Sequence, residues 1–227
     1  MLVRVLIVAV LCAAGGVGGY LAQRHDWPRS VGPMWPGDPA TGPSRVPGPG
    51  GFSPLACAGP APADAPRTPQ PDAPRSMKGW DLLSGYSAFT DVSGFQLAVP
   101  DGWTYERVGT TLCFRDPENV RILSLDNSRD PDGDPVQACL KEEERLRKKG
   151  ALPGYQKISL EPSTLAGKAA DWEFTYRGDR DMTMHATTRW FVSDGRGYAL
   201  GWVTREFDWG QSLVVYRMIQ GTFEASV

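Results

Sequence analysis

Histidine is scarce in this chain of 227 residues, which contains only His25 and His185. A metal site with two histidine ligands or a Ser/His/Asp triad would have to use His185 or the residue near the N-terminus. The Gly-x-Ser-x-Gly turn of serine hydrolases is missing, as are the Gly-rich loop, VAIK, HRD and DFG motifs of protein kinases. We therefore predict a protein that is not an enzyme, with no catalytic residue and a structural or surface role for His185.

An excess of either charge is also missing, because 24 Lys and Arg stand against 26 Asp and Glu. This balance excludes a basic nucleic-acid-binding surface as the default interpretation. Aspartates recur between Asp126 and Asp134, but a calcium loop with Gly133 at its sixth position would begin at Ser128 and end at Cys139. Those two positions require Asp and Glu. We predict no nucleic-acid partner, no metal and no cofactor.

Charged residues are absent from Val5 to Gln23, which follow Arg4 directly. Nineteen apolar or uncharged residues are close to the length needed to cross a bilayer. We predict an uncleaved transmembrane signal anchor over residues 1–24, with the rest of the chain outside the cytoplasm. A cleaved signal peptide is the alternative, because small residues from Ala13 to Gly16 follow the apolar run.

Proline and glycine dominate the next segment, where residues 25–79 hold 14 of the 20 Pro and 8 of the 26 Gly. Such a composition cannot form a packed core. The segment therefore predicts a disordered stalk that holds residues 80–227, an extracytoplasmic domain, away from the membrane.

Residues 80–227 contain most of the aromatic residues and show alternating hydrophobic patterns typical of strands. Two segments change to helical spacing, one after Asp134 and Pro135 and one after Asp208, and each begins with a capping signal. Gly150 and Gly221 end them. We predict an α+β fold in which two helices flank an antiparallel sheet of about seven or eight strands. The predicted strands cover residues 95–99, 103–108, 111–115, 121–126, 155–160, 169–176, 182–192 and 197–204.

The first predicted helix carries charged residues along much of its length, including Glu142, Glu143, Glu144 and Arg145. We interpret this charged face as a solvated surface, with an interaction patch as the alternative.

Several short segments carry a family resemblance: GFQLAVPDGW, CFRDP, RILSLD, AADWEFTY and GYALGWV. They resemble the extracytoplasmic domains of actinobacterial membrane proteins, including those appended to serine/threonine protein kinases. The resemblance covers roughly Gly94 to Phe223. It implies a PsbP/Mog1-like fold and a sensory or interaction role, and the missing kinase motifs lead us to expect a version of the domain without the kinase.

Cys113 and Cys139 are the two cysteines of the predicted domain. Outside the cytoplasm they are able to form a disulfide, which would close a loop of 25 intervening residues. Two separate buried thiols are the alternative.

Tryptophans at strand positions favour a core role, but an aromatic wall facing a cavity would bind an apolar or carbohydrate-like ligand. The candidate ligand-binding residues are Trp103, Trp202 and Trp209.

The composition and the resemblance together predict a non-catalytic, membrane-anchored module that binds an unidentified envelope ligand or protein partner. An envelope hydrolase is the alternative, with Asp171, Glu173 and Glu206 as acid/base candidates. Convergence of two of these carboxylates in one pocket would favour the hydrolase. A third possibility, a structural partner in a membrane complex, predicts a sizeable exposed apolar patch.

Overall fold

The computed structural model describes residues 55–163 and 168–225. Within them the chain forms an α+β domain, as the sequence predicts. Its elements are β1 (Ser76–Met77), β2 (Trp80–Asp81), β3 (Tyr86–Asp91), β4 (Phe95–Pro100), β5 (Thr104–Val108), β6 (Thr111–Arg115), β7 (Ile122–Arg129), α1 (Pro135–Lys148), β8 (Gln156–Pro162), β9 (Ala169–Arg177), β10 (Thr183–Ser193), β11 (Arg196–Arg205), α2 (Trp209–Thr222) and β12 (Glu224–Ala225), with 3-10 turns at Asp179–Asp181 and Glu206–Asp208.

The main sheet is antiparallel and has seven strands in the order β5-β6-β7-β11-β10-β9-β8. This confirms the predicted sheet of about seven or eight strands. The strand that starts at Phe95 lies elsewhere, because β4 pairs with β3 and β12 in a separate three-stranded sheet. Each of the two helices in the described residues lies against one face of the main sheet.

Alternation along the strands divides the core between these two faces. On β11, Leu200 and Trp202 pack with α2 and the three-stranded sheet, whereas Ala199 and Val203 pack with α1. Successive side chains of a strand point to opposite faces, so each of the central strands contributes to both cores.

Helix α1 begins where the sequence predicts. The Asp134 carboxylate accepts hydrogen bonds from the backbone N–H groups of Val136 at 2.8 Å and Gln137 at 3.1 Å. These contacts satisfy amide groups that have no partner within the helix, and Pro135 occupies the first helical position.

The predicted solvated face of α1 is wrong at two positions, because Glu142 and Glu143 are buried. Arg145 donates two hydrogen bonds to Glu142, at 2.7 and 2.5 Å. The Tyr155 hydroxyl donates to Glu143 at 2.8 Å, and the Lys157 ammonium lies 2.7 Å from the same carboxylate. Both charges are buried because each has a specific partner.

The predicted stalk is also wrong over its last part, since residues 55–79 belong to the domain. Cys57, Thr68 and Met77 are buried. The Thr68 hydroxyl accepts a hydrogen bond from the Trp103 amide at 3.0 Å, and the Tyr105 amide donates to Pro66 at 2.9 Å. A proline-rich segment is ordered here because the edge of the main sheet supplies the hydrogen bonds it cannot make internally.

Residues 1–54 lie outside the described residues, and with them the predicted anchor and the rest of the predicted stalk. In residues 55–163 and 168–225, no helix combines the length and the apolar character needed to cross a membrane.

Candidate functional site

The three candidate tryptophans lie in two different places. Trp103 and Trp202 are buried and stack on each other with ring centres 5.9 Å apart. The Trp202 indole N–H also donates to the Ser212 hydroxyl at 3.1 Å, which joins the sheet to α2. Trp209 is only partly buried, at the first position of α2. Of the three rings, Trp209 is the one next to a polar surface.

Trp209 stacks on His185, with ring centres 3.6 Å apart and an angle of 4° between the planes. His185 Nδ1 lies 2.6 Å from Glu206 Oε2, and its Nε2 lies 2.7 Å from Glu173 Oε1. We call Glu173, His185, Glu206 and Trp209 the His185 cluster. The imidazole is nearly inaccessible to solvent, whereas the Glu173 side chain is 32% exposed and that of Glu206 49%.

Strand register and chain connectivity assemble this cluster. Glu173 on β9 pairs with Thr187 on β10, which places it diagonally beside His185 on the same face of the sheet. Glu206 follows β11 directly, and Trp209 follows Glu206 by less than one helical turn. The cluster therefore links two strands of the sheet to the start of α2.

The chemistry of the cluster follows from its donors and acceptors. An ionised carboxylate only accepts hydrogen bonds, and a neutral imidazole has one donor and one acceptor nitrogen. With both glutamates ionised, His185 makes both hydrogen bonds only when its ring carries two protons. The ring then bridges two carboxylates, and the cluster has a net negative charge.

Asp171, the third candidate carboxylate, has a different partner. Arg189 Nε and one terminal nitrogen donate to its two oxygens at 2.7 and 2.8 Å. These hydrogen bonds raise the pKa of Arg189 above its ordinary value. The structure thus brings Glu173 and Glu206 together on His185 and ties Asp171 to an arginine.

The predicted Cys113–Cys139 disulfide is wrong. Cys113 pairs with Cys57, with Cα atoms 5.5 Å apart, and Cys139 is a free buried thiol. Burial raises the pKa of Cys139 to about 12, and the charges of Asp171 and Glu142 add to the effect. The error followed from the stalk boundary, which placed Cys57 outside the domain although LACA is an apolar interruption of the proline-rich segment.

Three of the four aspartates from Asp126 to Asp134 accept hydrogen bonds from nearby backbone amides: Asp126, Asp130 and Asp134. Asp126 is buried beside Arg129 and accepts a hydrogen bond from the Ser128 amide at 2.8 Å. Asp134 caps α1. In the part of the chain that the structure describes, no three His, Cys, Asp or Glu side chains are placed to hold a metal ion.

An open groove of about 450 Å³ lies between residues 62–70 and the strands β3 and β5. Phe89 and Tyr105 are among its apolar lining residues, and Arg107 contacts Asp91 within it. This groove was not predicted from the sequence, because the residues that form one of its walls were assigned to the stalk.

Comparison with protein families gives a match over residues 87–225 to the family described as the serine/threonine kinase C-terminal domain. This match confirms the resemblance to kinase-appended domains expected from the sequence. No curated protein shows a significant sequence similarity to the chain.

Several solved structures are similar to the chain. The Ran-binding protein Mog1p of Saccharomyces cerevisiae is 9% identical, with a TM-score of 0.46, over 62% of this chain and 95% of its own. The cyanobacterial PsbP of Synechocystis is 15% identical, with a TM-score of 0.46, over 69% and 99%. LpqN of Mycobacterium tuberculosis, involved in cell envelope biogenesis, is 19% identical, with a TM-score of 0.37, over 63% and 91%.

Proposed function

The chain belongs to the serine/threonine kinase C-terminal domain family, and from this membership we propose that it is a non-catalytic binding or sensing module of the cell envelope. In this proposal residues 1–24 anchor the chain in the membrane, and the α+β domain lies outside the cytoplasm. Its ligand is an envelope molecule or a protein partner.

The non-catalytic part of the proposal rests on one observation: both ring nitrogens of His185 are occupied by hydrogen bonds within the cluster. Both ring nitrogens contact carboxylates, so neither is free to accept a proton from a nucleophile. Trp209 covers one face of the ring. The arrangement fixes α2 to the sheet and leaves parts of Glu173 and Glu206 accessible to a partner.

The Cys57–Cys113 disulfide supports the location. Disulfides persist in oxidising compartments and are rare in the cytoplasm. This bridge is fully buried and ties the N-terminal segment to the β5–β6 hairpin at the edge of the main sheet. It is therefore a structural bond, which fits a domain that folds after export.

The location is tested with the full chain in a bacterial host. Protease is added to intact spheroplasts and to lysed ones, and an antibody against the C-terminus follows the domain. Degradation in intact spheroplasts, with the protein in the membrane fraction, is the expected result. A domain that is protected until lysis would overturn the proposed location.

A hydrolase is the second candidate, and the convergence of Glu173 and Glu206 on one histidine favours it. The full chain and its Glu206→Gln variant are assayed with fluorogenic esters, phosphate esters and glycosides. We expect no turnover by either protein. Hydrolysis by the wild type that is lost in Glu206→Gln would replace the binding module with an enzyme.

A further inference from the structure

The outer surface of α2 is almost free of charge. Among its fourteen residues Arg217 is the only charged one. Val214 is 68% exposed, and Phe207, just before the helix, is 69% exposed. A helix on the surface of a soluble domain normally presents charged and polar residues on its outer face. Exposed apolar residues on such a face are typical of an interaction surface.

Gly210, Val214 and Arg217 follow one another on the outer side of α2 at separations of four and three residues, so they share one face. All three are exposed. A Cβ added at Gly210 would meet no atom within 4 Å, so this glycine opens toward solvent. The face therefore combines a notch at Gly210 with a projecting side chain at Val214, one helical turn away.

We propose that this face binds the same face of a second copy of the chain, with the two α2 helices antiparallel and crossing between Gly210 and Val214. In this arrangement Val214 of each copy fits over the partner's Gly210. A two-fold axis that pairs position 210 with position 214 also pairs position 207 with position 217. Phe207 therefore lies opposite the partner's Arg217, close to Glu206.

Charge complementarity favours a second copy as the occupant. Arg217 makes no ion pair with any other described residue. Glu206 and Glu173 share a single histidine and are partly exposed. The N-terminal end of α2 also holds Arg205, which lies over Phe207 and is paired with Asp208. Glu173 and Glu206 therefore remain the excess charge at that end. Arg217 lies in the C-terminal half of α2, so the antiparallel arrangement brings opposite charges together.

The self-association has a consequence for the candidate site. The partner's Arg217 adds a cation to the His185 cluster, in which two carboxylates share one imidazole. The dimer therefore brings a positive charge next to these two carboxylates. The inference depends neither on the ligand nor on the compartment of the proposed function, and its experiment gives an answer whatever those turn out to be.

The test measures the association constant of the full chain by sedimentation equilibrium in density-matched detergent. We expect a monomer–dimer equilibrium that Gly210→Leu weakens by about tenfold or more, since a bulky side chain at the crossing point removes a central contact. Arg217→Glu should weaken it as well. Gly221→Leu is the matched control, because Gly221 also opens to free space on α2 but lies beyond the proposed contact.

Three results would overturn the proposal. A wild-type chain that stays monomeric up to high micromolar concentration is one, and a Gly210→Leu variant that associates as tightly as the wild type is another. The latter would place any self-association in residues 1–54. Loss of association in Gly221→Leu to the same extent as in Gly210→Leu is the third. Val214→Lys, at an exposed position, provides a second disrupting variant, and circular dichroism confirms that each variant is folded.

Discussion

The two helices of the described domain have the same length, fourteen residues, and lie on opposite faces of one sheet, but their outer surfaces differ. Helix α1 carries seven charged residues, and five of them form ion pairs with one another or with β8. Helix α2 carries one. Both helices bury an apolar stripe, so the core does not account for the difference. The outer surface of α1 is typical of a solvated face, whereas that of α2 is typical of an interaction surface.

The two sides also differ in how they are joined to the rest of the chain. On the α1 side, the Cys57–Cys113 disulfide holds the N-terminal segment to the sheet. On the α2 side, the His185 cluster and the hydrogen bond from Trp202 to Ser212 hold the helix. A covalent bond thus holds the N-terminal segment on the α1 side of the sheet, whereas a polar network holds the helix on the α2 side. Three experiments test how far this difference extends.

Removal of the disulfide should have the largest effect. A Cys57→Ser, Cys113→Ser double variant is expected to lose about 4 kcal/mol of the free energy of unfolding, because the bridge spans a sequence separation of 56. Urea denaturation of the domain-containing chain measures the loss. Cys139→Ala keeps the disulfide and serves as the control, with a smaller expected loss. Equal stability of the double variant and the wild type would contradict a structural role for the bond.

Loss of the histidine should have an intermediate effect on the α2 side. His185→Ala removes the group between Glu173 and Glu206 and the stacking surface of Trp209, and should cost about 2 kcal/mol. The same urea experiment measures it. Glu161→Gln is the control, because Glu161 is an exposed carboxylate on the edge strand β8 and its change should leave stability unaltered. A His185→Ala loss no larger than that of the control would mean that the network does not hold α2.

The helix caps should give the smallest effect and the most direct comparison. Asp134→Ala removes the two hydrogen bonds that start α1 and should cost about 1 kcal/mol. Asp208 lies at the corresponding position of α2 but makes no capping bond, because its carboxylate accepts from Arg205 at 2.5 Å. Asp208→Ala should therefore cost about half as much or less. The shift in urea midpoint of the two variants measures the difference, and the opposite order would show that α2 depends on its cap more than α1 does.

Local signals account for what could be predicted from the sequence. Asp134 and Pro135 lie next to each other at the start of α1, and the alternation of β9 and β11 is visible within a few residues. Elements with such signals were predicted at the correct places. The start of α2 was also placed correctly at Asp208, although the capping bond expected there is replaced by the bond to Arg205.

Residues 55–79 show why composition alone was misleading. Their proline content is typical of a stalk, but their order depends on partners far along the chain. Thr68 contacts residues at separations of 32 and 35 positions, and Cys57 contacts one at 56. No local pattern reports such contacts. The domain boundary and the disulfide were therefore wrong for the same reason.

The candidate site likewise depends on contacts between residues that are far apart in the sequence. The sequence named Glu173, Glu206 and Trp209 as candidates for different functions and gave His185 a structural role. The contacts among them depend on the register between β9 and β10 and on the turn that follows β11. Glu173 is 12 positions before His185 in the sequence and Glu206 is 21 positions after it, yet both contact its imidazole. Residue types can be read from the sequence, but their distances cannot.

By itself the sequence determined the class of the fold, the two helices and most strands of the main sheet, because hydrophobic periodicity and capping act over a few neighbouring residues. Tertiary structure alone decided which cysteine Cys113 bonds, which of the three candidate tryptophans stays near the surface and which carboxylates share His185. These outcomes depend on strand register and on which face of the sheet each side chain occupies, and a shift of one residue would change them all.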